Sequence, residues 1–255
     1  MTLTMELLVS VATAAEASAA LEGGADVIDA KDPLAGALGA VSAEALAEIH
    51  ATVAGARLLT AALGDAVDET TIELDARRAS ALGAGLVKVG FPGIDSAARM
   101  ATLVRAAVRG ARQGNCGVVA VMYADAYADA NADGNAGANG AGGLAPDIFI
   151  PVAALAGASA LLVDTADKAG PGLRRLMPPT ALTACVARAH EAGLLVALAG
   201  KLTADDLPFV RDTGADIAGV RGAACLGGRG GSVSVDRVRL LRAICSCILD
   251  RTPQG

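Results

Sequence analysis

The chain has 255 residues, 53% of them hydrophobic, a net charge of −6 and no basic cluster, which excludes nucleic acid and an anionic membrane surface as its main partners, because both are bound through clustered Lys and Arg. No apolar run reaches the roughly 18 to 20 residues that cross a bilayer, and the start lacks the charged region and cleavage site of a signal peptide, so a cytoplasmic protein is expected. Cys116, Cys185, Cys225, Cys245 and Cys247 are odd in number and show neither CxxC nor Cys/His ligand spacing, so they read as small buried fillers rather than disulfides or a zinc site.

In chain order, short apolar, β-branched runs cover Glu6 to Ser10, Asp26 to Ala30, Arg57 to Leu63, Gly85 to Gly90, Gly117 to Met122, Ser159 to Asp164, Leu194 to Ala199 and Asp216 to Arg221. Helical patterns alternate with them over Val11 to Leu21, Ala43 to Val53, Thr70 to Leu82, Ser96 to Arg112, Pro146 to Ala156, Pro179 to Glu191, Ala204 to Thr213 and Val235 to Leu249. Ser42 and Thr203 stand as N-caps, and pairs such as Gly23-Gly24 and Gly83-Ala84 close helices before the next strand. Strands that alternate with helices pair in parallel, and eight such units in this length predict an α/β fold, a (β/α)8 TIM barrel over residues 1–255 as one domain. A doubly wound sheet would want a GxGxxG turn after the first strand, and Val9-Ser-Val-Ala-Thr13 offers none. The Asn, Asp, Gly and Ala-rich stretch 128–143 is read as a loop insertion after the fifth strand.

The second strand carries the first chemical signal. Asp29 and Lys31 share a parity, so both face one side of a buried strand, and desolvated charges of this kind need a lined pocket or a tight ion pair. The chain has only four lysines, Lys31, Lys88, Lys168 and Lys201, and in the barrel reading all four fall on the rim at the carboxyl ends of the strands, where barrel enzymes place their active sites. Lys88 lies between Val87 and Val89 and therefore points into the barrel, where a buried pair with Asp29 or Asp164 is its structural alternative. Unlike arginine, a lysine can be made neutral and nucleophilic by its surroundings, and an amine of that kind attacks a carbonyl to form a Schiff base, the logic of a class I aldolase. Gly200 with Lys201 and Gly219-Val-Arg-Gly222 follow the last two strands, where barrels bind phosphate on backbone amides. Arg221 is either a cation for that phosphate or a structural salt bridge, and Gly227 to Gly231 either closes over the anion or is a plain connector. His50 and His190 sit inside predicted helices and are read as structural.

Leu7-Leu-Val-Ser10, Glu22-Gly-Gly-Ala-Asp-Val-Ile-Asp-Ala-Lys-Asp-Pro33 with Gly36-Ala-Leu-Gly39, Val87-Lys-Val-Gly90, Tyr123-Ala-Asp-Ala126, Asp164-Thr-Ala166 with Lys168, Val196-Ala-Leu-Ala-Gly200 and Gly219-Val-Arg-Gly-Ala-Ala-Cys225 together resemble the (5-formylfuran-3-yl)methyl phosphate synthase family of methanofuran biosynthesis. The resemblance implies an aldolase-like barrel that joins two molecules of glyceraldehyde 3-phosphate without a metal or other cofactor. It implies Lys31 as the Schiff-base lysine and Lys88 as proton acceptor, with Asp29, Asp164 and Lys168 in the same pocket, while the barrel reading places Gly200, Lys201, Gly219, Arg221 and Gly222 at the phosphate. Lys201 departs from the small polar residue expected after Ala-Gly, and the 128–143 insertion is longer than the family's usual connection. Two other readings are a different Schiff-base aldolase of triose phosphates and a non-catalytic barrel that binds a phosphorylated metabolite. The small-molecule substrate is the expected partner, with self-association into a homo-oligomer suggested by the high apolar fraction.

Overall fold

A computed structural model describes residues 4–126 and 143–246. Eight parallel strands, β1 (Glu6–Val11), β2 (Val27–Ala30), β3 (Leu58–Asp65), β4 (Leu86–Gly90), β5 (Gly117–Tyr123), β6 (Ala160–Asp164), β7 (Leu195–Leu198) and β8 (Ile217–Val220), close into a barrel in sequence order. Helices α1 (Ala14–Glu22), α2 (Ala43–Val53), α3 (Glu69–Ala81), α4 (Ala97–Ala111), α5 (Pro146–Leu155), α6 (Leu173–Leu176), α7 (Pro179–Glu191), α8 (Leu207–Asp212) and α9 (Val235–Ser246) lie along the chain between and after the strands. The predicted (β/α)8 barrel is therefore the observed one. The 128–143 insertion falls outside the described residues except for Gly143. Among the described residues, no helix is long and apolar enough to cross a membrane.

Strand alternation explains how the core divides. Ile28, Ala30, Val87, Val89, Leu161 and Val163 face outward and pack with helix residues such as Leu46, Ile49, Leu103 and Val104 in one apolar cluster. Leu8, Val27, Val119, Leu162, Ala197 and Ile217 face inward and form a second cluster inside the cylinder. None of these six inward side chains is aromatic, and together they leave a cavity of 350 Å³ along the barrel axis. The polar inward positions come later on their strands, at the carboxyl rim, which is what makes that end the chemical one.

Two local boundaries differ from expectation for identifiable reasons. Helix α1 begins at Ala14 rather than Val11, because β1 runs on through Val11 and Thr13 caps the helix by accepting the Glu16 N–H. The helix expected from Ala204 splits into a 3-10 turn at Ala204–Asp206 and α8. Pro208 has no N–H to give the Ala204 carbonyl, and the Thr203–Asp206 capping box tightens the first turn instead. Cys116, Cys185, Cys225 and Cys245 are buried free thiols, and burial pushes three of them, Cys116, Cys185 and Cys245, up to about 11, as inert fillers require. Cys247 lies outside the described residues. His190 pairs with Asp216 at 2.9 Å while the same carboxylate oxygen accepts the Val196 N–H, a structural brace below β7 and β8.

Candidate active site

Asp29, on β2, is completely buried. The strand register places Ser10 of β1 and Thr60 of β3 level with it, and both hydroxyls donate to its carboxylate at 2.7 Å, Ser10 to Oδ2 and Thr60 to Oδ1. Lys88, inward on β4 between its two valines, closes an ion pair with Asp29 Oδ1 at 2.5 Å. Burial alone would raise the Asp29 carboxyl, but Lys88 and then Lys31 outweigh it and hold the group below the usual carboxylate range. The pair is the alternative anticipated for Lys88, and it lies inside the same cavity as the other lysines.

A second carboxylate, Asp164, ends β6. Lys168, four residues on in the following loop, turns back to donate to its Oδ1 at 2.7 Å and also touches the Thr165 carbonyl. Asp164 Oδ2, in contrast, is buried with no hydrogen-bond partner, and Lys31 Nζ stands 3.8 Å from it, beyond hydrogen-bond reach. Around the two buried carboxylates thus stand three amines, and the one without a close partner is Lys31. Burial lowers the Lys31 ammonium most, Asp164 partly restores it, Lys88 depresses it again, and the group settles at about 8. Near neutrality a substantial fraction of this amine is therefore uncharged, the state a nucleophile needs.

The rim over β7 and β8 was expected to hold phosphate. Gly200, Lys201, Gly219, Arg221 and Gly222 all line the same cavity as the lysines. Gly200 sits at φ 109°, where a Cβ would meet Thr165 Cγ2 at 2.9 Å, so the turn demands glycine. The N–H groups of Gly200, Lys201, Gly222 and Ala223 have no backbone acceptor among the described residues. Lys201 is exposed and rests its Nζ on the Gly170 carbonyl. Gly219 lies within β8, paired with Leu8, so its contribution is the space its missing side chain leaves.

Arg221 requires a correction. All five of its N–H donors are occupied: Nη1 on Ser10 O and Glu16 Oε2, Nη2 on Glu16 Oε1 and Gly231 O, and Nε on Arg229 O. No donor is left for a phosphate, so the structural reading of Arg221 is the one the geometry supports. Truncation to alanine leaves Glu16 buried without its cation and three carbonyls without donors. Arg221→Ala is expected to lower unfolding free energy by about 3–5 kcal/mol, as for breaking other buried pairs, measured by urea denaturation; an unchanged midpoint contradicts the bracket role.

With this geometry in hand, a family model for 4-HFC-P synthase matches residues 7–242. The chain belongs to the 4-HFC-P synthase family. It is 39% identical over 222 residues to the (5-formylfuran-3-yl)methyl phosphate synthase of Methanopyrus kandleri, covering 86% of this chain and 89% of that one. It is 37% identical over 247 residues to the synthase of the same name from Methanococcus maripaludis, covering 94% and 99%. The solved 3-hexulose-6-phosphate synthase from Salmonella typhimurium shares the fold, with a TM-score of 0.63 over 94% of this chain and 98% of that one at 15% identity. The motif resemblance drawn from the sequence is thereby borne out.

Within this 4-HFC-P synthase site, three contributors escaped sequence reasoning. Ser10 and Thr60 are the hydroxyls that seat Asp29; only their inward parity could have marked them. Asp125, inside the Tyr123-Ala-Asp-Ala126 motif, accepts the N–H groups of Ala166 and Asp167 at 2.8 Å each, and so shapes the loop that presents Lys168. Tyr123 donates to Asp65 at 2.6 Å over Gly90, where any Cβ would fall 2.1 Å from the Asp65 oxygen.

Proposed function

We propose that the protein condenses two molecules of glyceraldehyde 3-phosphate into (5-formylfuran-3-yl)methyl phosphate, the furan unit of a methanofuran-type one-carbon carrier, through a Schiff base on Lys31. The balance closes without a redox partner, since two triose phosphates minus one phosphate and two waters equal the product. The observation that carries the reading is Lys31 Nζ itself: buried, 3.8 Å from the nearest carboxylate oxygen, and the least committed of the pocket amines. Its neutral form adds to a substrate carbonyl carbon. The resulting hydroxyl takes a proton from the Asp164–Lys168 pair and leaves as water, giving a cationic imine. That cation acidifies the adjacent C–H, and Lys88 accepts the proton once its own has moved along the 2.5 Å contact to Asp29. The same two pairs return protons as the second aldehyde is joined and phosphate is expelled; a hydroxyl then closes the ring on the imine carbon and displaces the Lys31 amine, and the second water leaves. The family membership and the three-to-two ratio of amines to carboxylates support this assignment.

The direct test is borohydride treatment in the presence of glyceraldehyde 3-phosphate, followed by peptide mass spectrometry, product absorbance and phosphate release. A reduced adduct on the Lys31 peptide, a near-ultraviolet furan chromophore and one phosphate per two triose phosphates are expected; an unmodified protein mass overturns the covalent route. Because the reactive form is the free amine and its pKa is about 8, the rate of adduct formation is expected to rise with pH, reach half its maximum near 8 and level off above it. A flat rate from pH 6.5 to 9.5 contradicts Lys31 as the attacking group.

A further inference from the structure

After β8 the chain turns through a short antiparallel hairpin, β9 (Cys225–Leu226) with β10 (Ser232–Val233). Gly227 and Gly228 take φ of 80° and 76°, and the turn delivers Arg229 to the cavity, where it is half-buried and lines the wall with Lys31, Lys168 and Lys201. Arg229 reaches across the mouth to the β2–α2 loop, donating from Nε to Pro33 O at 3.2 Å and from Nη2 to Gly36 O at 2.8 Å. These two bonds use one edge of the guanidinium. The terminal edge, formed by Nη1 and the second Nη2 hydrogen, has no acceptor among the described residues, and every contact Arg229 makes is to a neutral carbonyl.

The contrast with Arg221 is the core of the inference. Arg221 is neutralised by Glu16 and saturated, whereas Arg229 is a partly desolvated cation with no carboxylate within ion-pair distance among the described residues, Asp164 and Asp32 acting on it from farther off. A cation in that situation costs free energy unless an anion completes it. Arg221 also grips the hairpin turn at two points, with Nε on the Arg229 carbonyl at 3.1 Å and Nη2 on the Gly231 carbonyl at 2.9 Å. It thus fixes where Arg229 can aim.

We propose that the terminal edge of Arg229 receives a phosphate monoester of the substrate, in the two-pronged geometry that guanidinium offers to phosphate, with Arg221 and Glu16 as positioning residues. The anion-binding role that sequence reasoning gave to Arg221 thereby passes eight residues along the chain. The site lies beside the free amides of Gly222 and Ala223 on one flank and the Lys31 loop on the other, so a bound phosphate links the capture rim to the nucleophile. The identity of the ligand as a triose phosphate rests on the proposed function above; the anion site itself does not.

The test separates the two. Binding of inorganic phosphate to the full-length protein is measured by calorimetry for the wild type, Arg229→Gln, Arg229→Lys and, as a charge control on the surface of α9, Arg239→Gln. Arg229→Gln is expected to weaken phosphate binding at least about tenfold, in line with loss of charge-assisted bonds, Arg229→Lys to recover only part of it, and Arg239→Gln to bind as the wild type does. The urea midpoints of Arg229→Gln and Arg229→Lys are expected to match each other, so that the difference in phosphate affinity between them reads the anion site and not the fold. Wild-type phosphate affinity in Arg229→Gln, an equal loss in Arg239→Gln, no phosphate binding by the wild type, or a lower midpoint in Arg229→Gln alone overturns the proposal. If phosphate binding follows the prediction while glyceraldehyde 3-phosphate gives no adduct in any protein, the anion site stands and the Schiff-base chemistry falls.

Discussion

Lys31→Ala is expected to abolish the borohydride-trappable adduct and to lower turnover on the order of 10⁴-fold or more, the scale on which loss of a covalent nucleophile is felt, with little loss of stability. The two halves of that expectation come from the same geometry. Lys31 Nζ makes no close ion pair, so its removal breaks no strong interaction in the folded state. Lys31 does act favourably on the buried Asp164, but that carboxylate keeps Lys168 as its hydrogen-bonded cation, so less stability is lost than when a hydrogen-bonded buried pair is broken. An amine held among buried charges without a hydrogen bond of its own fits a group held for chemistry. Kinetics and thermal unfolding on the same variant check both halves, and an undiminished adduct on it would refute the assignment.

Lys88→Ala has the opposite profile. Asp29 is wholly buried and loses its 2.5 Å partner, retaining the Ser10 and Thr60 hydroxyls, so unfolding free energy is expected to fall by about 3–5 kcal/mol at neutral pH. Turnover is expected to fall about 10²- to 10⁴-fold as the proton acceptor is lost. The sign of the pH dependence follows from Asp29. In the wild type its folded pKa is depressed, so its stabilising contribution is present above the unfolded carboxylate pKa and is lost as pH falls through the folded one. In the variant, burial prevails and the folded pKa rises, so protonation relieves the penalty. The stability deficit is therefore largest near neutrality and narrows toward acid pH, which chemical denaturation at a series of pH values measures. A deficit independent of pH would mean that Asp29 carries no charge in the folded protein.

How much of this was visible in the amino-acid sequence depends on which physical rule governs each residue. The inward direction of Asp29, Lys31, Lys88 and Asp164 follows from strand parity alone, a short-range rule that the barrel obeys without exception at these positions. The alternation of strands with glycine-closed helices made the closed sheet legible for the same reason. The exchange of roles between Arg221 and Arg229 was not legible, because it depends on Glu16, more than 200 residues earlier, claiming both prongs of Arg221. No local pattern distinguishes a saturated arginine from a free one. Thr60 and Ser10 look like ordinary alternating strand residues until register sets them beside Asp29. The split of the helix after Thr203 was readable in principle from Pro208, whose missing donor is a local fact.

The aliphatic side chains that leave the barrel axis open also decide what lies beneath the lysines. Leu8, Val27, Val119, Leu162, Ala197 and Ile217 present only hydrocarbon to that space. An imine forms by expelling water, and in bulk solution abundant water drives the step backwards. A hydrocarbon floor offers the expelled water no hydrogen bond on that side, so it is driven toward the polar rim and the imine meets less water from below. In that sense the cylinder supplies the reaction medium as well as the reagents.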